Sequence, residues 1–417
     1  MDAHMEPSKT KRRLPRWPEI AALARPARPQ LFPTARRLAR ASTVEELRAA
    51  AARRVPRAVF DYVDGGAESE LSMRRARAAF ESLEFHPRVL RDVSKVSTET
   101  VVLGEPAAMP VALAPTGFTR MMHHEGERAV GRAAARHGIP YALSTMGTVS
   151  PEDLAAAVPG GSRWFQLYLW RDRAKSKELL ARAAAAGYRV LVVTVDVPVA
   201  GARLRDVRHG LTIPPALRWS TLVDFARHPS WSLNLLTTEP LQFANFLTGD
   251  HAPNRVDLVA AMFDPAATFT DLAWLRSTWP GPLVVKGIQS VDDARAAVDA
   301  GADGVVLSNH GGRQLDRAVT PLELLPRVVD AIGDRSEVLV DSGVRSGADI
   351  AAAVALGARA CLVGRAYLYG LMAGGEAGVD RVISMLRAEL VRTMQLLGAS
   401  TVGELDRGLV RLRPAGS

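Results

Sequence analysis

Short apolar runs rich in β-branched residues alternate with amphipathic helical stretches over most of the chain, and this rhythm restricts the possible folds more than any other feature. The runs occupy residues 109–114, 140–144, 164–167, 190–194, 283–286, 304–307, 337–340 and 360–363. The amphipathic stretches include residues 125–137, 175–186, 291–300 and 347–356. Apolar strands that alternate with helices predict an α/β protein with a parallel sheet covered on both faces, and eight such units predict a closed (β/α)8 TIM barrel over about residues 107–390.

Two segments fall outside this rhythm. The string STVEEL at residues 42–47 places a capping residue and acids where a helix begins, which predicts an N-terminal helical segment that runs to Gly65 and Gly66. About 85 residues separate the fourth run from the fifth, where about 25–30 would suffice, so a long excursion is predicted near residues 205–268. Its large apolar residues would dock on lipid or on a neighbouring subunit, or pack against their own barrel. They are Trp219, Phe225, Trp231, Leu235, Leu236, Phe243 and Phe246.

The positive charge of the chain is concentrated at its N-terminal end. The 417-residue sequence has a formal net charge of +9, and residues 1–57 alone hold 14 Lys and Arg against 5 Asp and Glu, so the rest is neutral. We therefore predict a basic, flexible arm over residues 1–41 and one domain over residues 42–410. Such an arm could contact anionic lipid or nucleic acid, or be a solvated extension. Few aromatic residues are interleaved with its arginines, which favours the solvated extension, and no nucleic-acid partner is expected.

The sequence also constrains the cellular compartment. Cys361 is the only cysteine, which excludes an intramolecular disulfide and a multi-cysteine metal site, and no metal site is predicted. The first residues lack the apolar stretch of a signal peptide, and no run of about 18 uncharged apolar residues predicts a spanning helix. We therefore expect a cytoplasmic protein, whose basic arm and apolar excursion together suggest contact with the inner face of the cell membrane.

Polar residues follow several predicted strands at the end where the catalytic groups of a TIM barrel project. His310 and Arg313 follow the sixth strand and offer a base beside a fixed cation, which suits an anionic substrate that loses a proton. Asp196 follows the fourth strand and could orient a protonated imidazole. Tyr168 ends the third strand, and Lys286 ends the fifth, where a buried lysine needs an anionic partner or a lowered pKa.

The last two strands are followed by a pattern typical of phosphate binding. Asp341, Gly343 and Arg345 follow the seventh strand, and Gly364 and Arg365 follow the eighth. Glycine amides and arginines at these two places match the usual phosphate site of TIM barrels. Either group alone would equally fit a tight turn with a surface arginine, whereas both together favour a bound phosphate. The strand ends alone do not identify the reaction.

Six motifs, in this order along the chain, resemble those of the FMN-dependent α-hydroxy-acid dehydrogenase and oxidase family. They are FDYVDGGAE at residues 60–68, APTG at 114–117, WFQLY at 164–168, TVDVP at 194–198, VVKG at 284–287 and SNHGGRQLD at 308–316, which is the most specific. The resemblance covers residues 42–410 and implies an FMN enzyme that oxidises an L-2-hydroxy acid and forms a homo-oligomer, often a tetramer. VPVAGARLRDVR at 197–208 and AYLYGLMAGGEAG at 366–378 are most similar to bacterial respiratory L-lactate dehydrogenases.

The resemblance assigns catalytic roles to residues at the strand ends. It implies that His310 takes a proton from the substrate as two electrons pass to the flavin, and that Asp196 stabilises the charged imidazole. Tyr168 would contact the reacting hydroxyl. Lys286 would lie near the flavin N1 and O2 atoms, where a cation stabilises reduced flavin.

The resemblance also assigns the binding residues. Arg313 would bind the substrate carboxylate, which Tyr62 also reaches, and Tyr62 counts with the catalytic residues. Arg203 would be a second substrate-binding arginine at the mouth of the site. The flavin ring would be held by Pro115, Thr116, Gly117, Ser144, Gln166, Thr194, Lys286 and Ser308. The ribityl chain and phosphate would be held by Asp341, Gly343, Arg345, Gly364 and Arg365.

Three positions depart from the pattern of glycolate oxidase. Met146 stands where that enzyme has tryptophan, and Ala200 stands near its leucine, so we expect a roomier pocket that favours lactate or something larger. Gly117 replaces the alanine usual in oxidases of the group, which favours an electron acceptor other than oxygen. We therefore predict oxidation of L-lactate to pyruvate, with a quinone or another respiratory carrier as acceptor.

The same sequence is compatible with other functions. A bulkier acid such as mandelate, oxidised by an FMN oxidase or dehydrogenase, or a biosynthetic tailoring role would fit the same motifs. A phosphate-binding barrel such as inosine-phosphate dehydrogenase relies on a loop cysteine, and Cys361 is expected inside the last strand instead. A non-enzymatic binder would not need His310, Asp196, Arg313 and Tyr62 together.

Overall fold

The predicted barrel is present in the computed structural model, which describes residues 13–23, 32–210, 219–246 and 263–413. The barrel strands are β1 Val111–Leu113, β2 Tyr141–Ser144, β3 Arg163–Tyr168, β4 Val190–Thr194, β5 Leu283–Ile288, β6 Gly304–Leu307, β7 Glu337–Val340 and β8 Ala360–Val363. All are parallel to their neighbours, which follow chain order, and β8 pairs with β1 to close the barrel. The α/β class and the TIM barrel are therefore confirmed. Short strands outside the barrel are Leu83–Phe85, Thr100–Val102, Glu105–Ala107 and Val410–Leu412.

Helices surround the barrel and precede it. They are α1 Trp17–Leu23, α2 Pro33–Arg40, α3 Val44–Ala52, α4 Arg57–Asp64, α5 Leu71–Glu81, α6 Thr119–Met122, α7 Gly126–Arg136, α8 Pro151–Ala157, α9 Arg173–Ala185, α10 Leu204–His209, α11 Trp219–Arg227, α12 Pro229–Leu236, α13 Phe269–Thr278, α14 Val291–Asp299, α15 Pro321–Ile332, α16 Gly347–Ala355 and α17 Arg365–Leu397. Single 3-10 turns are Ala244–Phe246, Val402–Glu404 and Arg407–Leu409. The predicted helix 175–186 begins earlier, because the Asp172 side chain caps it by accepting a hydrogen bond from Ala174 N at 3.0 Å.

Alternate side chains of each barrel strand belong to two different cores. In β4, Val190 and Val192 pack inside the barrel, whereas Leu191 and Val193 pack between the sheet and the helices. All four are buried, and burying an aliphatic side chain stabilises a fold by about 1.5–3 kcal/mol. The same alternation places Thr194 on the inner side, where the strand leaves the barrel. Polar residues at such positions therefore face the carboxyl end of the barrel axis.

The N-terminal helical segment packs against the barrel. The Thr43 hydroxyl accepts a hydrogen bond from Glu46 N at 3.2 Å, which is the cap that the sequence predicts for α3. Helix α2 buries Leu38, and Arg37 Nε donates to Ala373 O at 2.7 Å. The predicted arm of residues 1–41 therefore includes a helix that contacts the body. Its residues 1–12 and 24–31 lie outside the described part of the chain, and the division into arm and domain stays a prediction.

The excursion after β4 carries the helices α10, α11 and α12. Trp231 and Phe243 are buried, and Trp231 Nε1 donates to a backbone carbonyl at 2.9 Å, so part of the excursion packs on its own barrel. Trp219 and Leu236 are each 80% exposed, so another part presents apolar side chains to the surroundings. The side chain of Phe246 lies outside the described residues. In the described part of the chain, no helix combines the length and the apolar character needed to cross a bilayer.

Candidate active site

A cavity opens at the carboxyl end of the barrel. Its volume is about 1400 Å³, including the part open to solvent. The predicted site residues that line it are Tyr62, Pro115, Thr116, Gly117, Ser144, Tyr168, Arg203, Lys286, His310, Arg313, Asp341, Gly343, Arg345, Gly364 and Arg365. The other predicted site residues stand behind this lining, and they are Gln166, Thr194, Asp196 and Ser308.

His310 and Asp196 form a hydrogen-bonded pair at the cavity. Asp196 Oδ1 lies 3.0 Å from His310 Nδ1, which leaves His310 Nε2 available to a bound molecule. Burial alone would raise the pKa of Asp196, but the facing imidazole and the Lys286 ammonium group together outweigh it and hold that pKa below its usual value. Asp196 is therefore ionised at neutral pH and can stabilise a protonated His310. His310 has a φ of 57°, and its backbone N donates to Ser308 Oγ at 3.0 Å.

A bulge in β5 makes room for this pair. The register between β5 and β6 shifts between Lys286 and Ile288, and Gly287 has a φ of +108°. A Cβ atom on Gly287 would lie 2.7 Å from Asp196 Cβ, so a larger residue would push the carboxylate away. The VVKG motif thus combines a lysine that faces the barrel axis with the glycine that allows Asp196 to approach.

Lys286 has the anionic partner that its position after β5 requires. It is 4% exposed, its Nζ lies 3.1 Å from Asp341 Oδ2, and it donates to Ser308 Oγ at 2.9 Å. Burial opposes the charged form, but Asp341 and Asp196 outweigh it and raise the pKa of Lys286. The ammonium group is therefore a permanent positive charge on the cavity wall. Asp341, predicted near the ribityl chain, serves as the counterion of this lysine.

Arg313 presents a positive charge that no carboxylate contacts directly among the described residues. Its Nη1 donates to Tyr62 O at 2.6 Å and to Gly65 O at 3.2 Å, which are neutral acceptors. Burial and the charge of Arg203 lower the pKa of Arg313 to about 10, so it stays charged at neutral pH. The guanidinium carbons of Arg313 and Arg203 lie 5.1 and 5.7 Å from the centre of the Tyr62 ring. Two arginines and a tyrosine thus surround a place suited to a small anion.

Arg365 holds the turn after β6 against α4. It donates to Val63 O, Gly65 O and Gly311 O at 2.7–2.9 Å, and burial lowers its pKa. A Cβ atom on Gly311, whose φ is +65°, would lie 2.6 Å from Arg365 Nη1, so a larger residue would displace this guanidinium group. The guanidinium therefore has only carbonyl partners in the described chain, which leaves its charge available to a phosphate.

Arg345 differs from the simple prediction of a phosphate ligand. It lines the cavity, but its Nη1 donates to Glu45 Oε2 at 2.9 Å. This pairing joins the loop after β7 to the first turn of α3. The N-terminal helical segment therefore contributes to the geometry of the predicted phosphate end.

Two buried polar atoms fit a heterocycle with hydrogen-bonding edges. Gln166 Oε1 accepts from Ser144 Oγ at 2.9 Å, but Gln166 Nε2 has no hydrogen-bond partner, and neither does Thr194 Oγ1. Gln166 and Thr194 are 1% and 6% exposed, and unpaired polar atoms at such burial cost about 1–3 kcal/mol each. An isoalloxazine ring offers both donors and acceptors, so the residues present fit FMN, with Arg365 and the glycine turns able to take its phosphate.

Some cavity residues were missed by sequence reasoning. Helix α5 contributes Met73, Ala76 and Arg77, which share one face at the i, i+3, i+4 spacing. Arg77 Nη1 donates to Gly343 O at 2.8 Å and forms an ion pair with Asp349. The spacing shows an inward face, but nothing in the sequence reveals that this helix covers the barrel mouth.

Comparison with known proteins identifies the family. Residues 51–412 match the family model described as FMN-dependent dehydrogenase. A putative L-lactate dehydrogenase of Mycobacterium tuberculosis is 58% identical over 407 residues, which cover 97% of this chain and 98% of the relative. The L-lactate dehydrogenase of Caulobacter vibrioides is 44% identical over 377 residues, which cover 89% and 98%.

Solved structures agree with this match. The crystal structure of (S)-mandelate dehydrogenase, described as a monotopic membrane protein, superposes with a TM-score of 0.86 at 40% identity, covering 90% of this chain and all of that one. A mandelate oxidase variant with (S)-mandelic acid superposes with a TM-score of 0.77 at 40% identity, with the same coverage of both chains. The match over most of the chain confirms the resemblance found in the six motifs. The chain therefore belongs to the family of FMN-dependent dehydrogenases that act on α-hydroxy acids.

Proposed function

We propose that this flavoenzyme oxidises L-lactate to pyruvate and passes the electrons to a quinone or another respiratory carrier. The observation that carries the proposal is the charge of Arg313, bonded only to neutral carbonyl oxygens, at the same cavity as the His310–Asp196 pair. A 2-hydroxy acid offers a carboxylate to the guanidinium and a removable proton to the imidazole. A relative named putative L-lactate dehydrogenase, at 58% identity, and one named L-lactate dehydrogenase, at 44% identity, support lactate as the substrate.

The contacts of each side chain suggest its task. When bound, FMN supplies the two-electron oxidation of the hydroxy acid. Arg313 and Arg203 would hold the substrate carboxylate, so that His310 Nε2 can take a proton while Asp196 stabilises the imidazolium. Burial raises the pKa of Tyr168, so its hydroxyl stays protonated and can donate a hydrogen bond to the substrate oxygen.

A bulkier hydroxy acid is the second candidate substrate. Met146 and Ala200 both line the cavity, which supports the prediction of a roomier pocket. The superposed structures are a mandelate dehydrogenase and a mandelate oxidase, each 40% identical to this chain. An aromatic 2-hydroxy acid would present the same carboxylate and hydroxyl to Arg313 and His310.

Anaerobic reduction of the bound flavin separates these candidates. We expect L-lactate to bleach the visible absorption of the purified FMN-loaded protein faster than (S)-mandelate, and D-lactate to have little effect. A quinone analogue should then restore the absorption faster than air does. Preferential bleaching by mandelate would replace lactate as the proposed substrate, and rapid reoxidation by air would contradict the proposed acceptor.

Asp206 lies close to the two arginines proposed to bind the substrate. It is 8% exposed, and its Oδ2 lies 3.5 Å from Arg203 Nε. The pKa of Asp206 is raised, mainly by burial and further by the charge of Asp61. The positive charges of Arg313, Arg203 and His209 oppose this rise without cancelling it. The Asp206 carboxylate should therefore compete with the substrate carboxylate for the arginines when ionised, and stop competing once it is protonated.

Asp206→Asn is expected to lower the KM for L-lactate by about threefold to tenfold at pH 7, because one like charge near the substrate is removed. In the wild type, KM should fall as the pH decreases through the raised pKa of Asp206, whereas the variant should lose this dependence. Steady-state kinetics at pH values from about 4.5 to about 8 measure both effects, because this range begins near the usual pKa of a carboxyl group and extends above it. Asp292→Asn, at a side chain that is 94% exposed, is the control. A higher KM in Asp206→Asn would show that Asp206 positions Arg203 instead.

We further propose contact with a membrane surface and a homo-oligomeric state, as the family resemblance implies a tetramer. Trp219 and Leu236 are exposed apolar side chains on the excursion, and a related (S)-mandelate dehydrogenase is described as a monotopic membrane protein. A cytoplasmic location at the inner face of the cell membrane agrees with the basic N-terminal arm.

A further inference from the structure

A second cavity lies next to the proposed active site, beneath the excursion. Its volume is about 520 Å³, including the part open to solvent, and Met122 lines both cavities, so they share a wall. The second cavity is formed where α2, the end of α3, the loop between α6 and α7, helix α12 and the segment around Gly374 in α17 meet. None of its other lining residues belongs to the first cavity.

The lining of the second cavity carries an excess of positive charge from Arg37 and Arg54. Arg120, by contrast, pairs with Glu239 at 3.8 Å, and burial lowers the pKa of His123 to about 4, so that this histidine is neutral at pH 7. Three arginines and two histidines contribute to the lining, and no aspartate or glutamate does so in the described part of the chain. Arg37 and Arg54 line the same cavity, and burial together with the charge of Arg54 lowers the pKa of Arg37. The basic residues are Arg37, Arg54, Arg120, His123 and His124.

The hydrogen bonds of Arg37 and Arg54 leave their charges without a direct counterion. Arg37 donates to Ala373 O at 2.7 Å and to Thr34 Oγ1 at 3.2 Å, and Arg54 Nη2 donates to Ser230 Oγ at 2.6 Å. All three acceptors are neutral. The His124 Nδ1 atom is buried and has no hydrogen-bond partner. Like charges and an unpaired ring nitrogen around one space are best explained by an anion that enters it.

A metal ion is a poorer occupant of this place. Ligand atoms of His123, His124 and Glu125 lie within 4.8 Å of one another, which would suit a cation. However, Glu125 Oε1 accepts a hydrogen bond from Arg132 at 3.2 Å, and the arginines of the cavity would repel a cation. The charge balance therefore favours a negative ligand.

We propose that the second cavity binds a phosphate group, separately from the phosphate of FMN. Guanidinium groups bind phosphate oxygens through parallel hydrogen bonds, and the hydroxyls of Thr34 and Ser230 add neutral donors. Leu233 and Leu236, which are 61% and 80% exposed, lie on the same helix as Ser230. A phospholipid headgroup can therefore supply the phosphate, and a soluble phosphate ester offers the same chemistry.

Titration of the FMN-loaded enzyme with inorganic phosphate at constant ionic strength tests the site. We expect saturable binding by calorimetry, and a loss of affinity of about tenfold or more in Arg54→Gln and in Arg37→Gln, because each removes a charged donor. Arg53→Gln is the matched control, since it removes the same charge from the neighbouring exposed residue, which does not line the cavity. The flavin spectrum and thermal unfolding verify that each variant folds.

Flotation with phosphatidylglycerol vesicles identifies the source of the phosphate. Weaker flotation of Arg54→Gln and Arg37→Gln than of Arg53→Gln would assign the cavity to a lipid headgroup. Equal flotation of all variants, together with the loss of phosphate affinity, would assign it to a soluble phosphate ester. The proposal is overturned if the wild type shows no saturable phosphate binding, or if Arg53→Gln loses as much affinity as Arg54→Gln. If the wild-type protein does not float together with the vesicles, this would contradict the membrane contact proposed above.

Discussion

His310→Asn is expected to lower kcat for L-lactate by about 10²–10⁴-fold, because general-base catalysis contributes an effect of that size. Asparagine is the suitable replacement, since His310 has a φ of 57° and asparagine tolerates the left-handed region better than most residues do. The variant should still bind FMN, as the atoms that fit the flavin belong to other residues. Anaerobic stopped-flow reduction of the flavin measures the step directly.

The control is His86→Asn, which changes an exposed histidine outside the cavity. Because the Asp196 carboxylate loses its imidazole partner in His310→Asn, its pKa should rise toward that of a buried acid. A flavin-loaded His310→Asn enzyme that is reduced by lactate at nearly the wild-type rate would exclude His310 as the base.

Arg313→Lys is expected to lower kcat/KM for L-lactate by about 10²-fold, with a higher KM as the main cause. Lysine keeps the charge but cannot present parallel N–H groups to a carboxylate while it bonds Tyr62 O and Gly65 O. Losing one or two hydrogen bonds to a charged group costs about 1.5–3 kcal/mol each, which corresponds to this factor. Steady-state kinetics with saturating acceptor measure it.

The matched control for this variant is Arg295→Lys, at a side chain that is 55% exposed and outside the cavity. If Arg313 binds the carboxylate, the variant should also lose affinity for oxalate. This dicarboxylate has no hydroxyl group and no C–H bond, so the enzyme cannot oxidise it as it would a 2-hydroxy acid. An unchanged KM and an unchanged affinity for oxalate would assign the carboxylate to Arg203 alone.

The barrel could be predicted because each strand carries its own signal. Each of the eight apolar runs is a strand, and the alternation of Val190, Leu191, Val192 and Val193 between two cores is a local property. Residues at the strand ends are fixed relative to one another by the closed sheet. For this reason His310 and Asp196 could be paired from a sequence in which they are 114 positions apart.

The contacts made by elements outside the barrel could not be predicted in the same way. The pairing of Arg345 with Glu45 depends on how α3 docks, and the exposure of Arg77 to the cavity depends on where α5 lies. Both are set by packing between segments whose sequences carry no register signal. The cationic second cavity was missed for the same reason, because Arg37, Arg54 and His124 come from three separate segments.

The barrel closes where its first strand to be synthesised pairs with its last. Strand β1 pairs with β8, and Cys361 in β8 stands opposite Val111 in β1, so hydrogen bonds join chain segments 250 positions apart. Pro115 follows one of these strands and Arg365 follows the other, and both border the proposed flavin cavity. A cofactor that contacts residues after both strands would bind only once β1 and β8 have paired. By mass action it would then stabilise the closed barrel against unfolding.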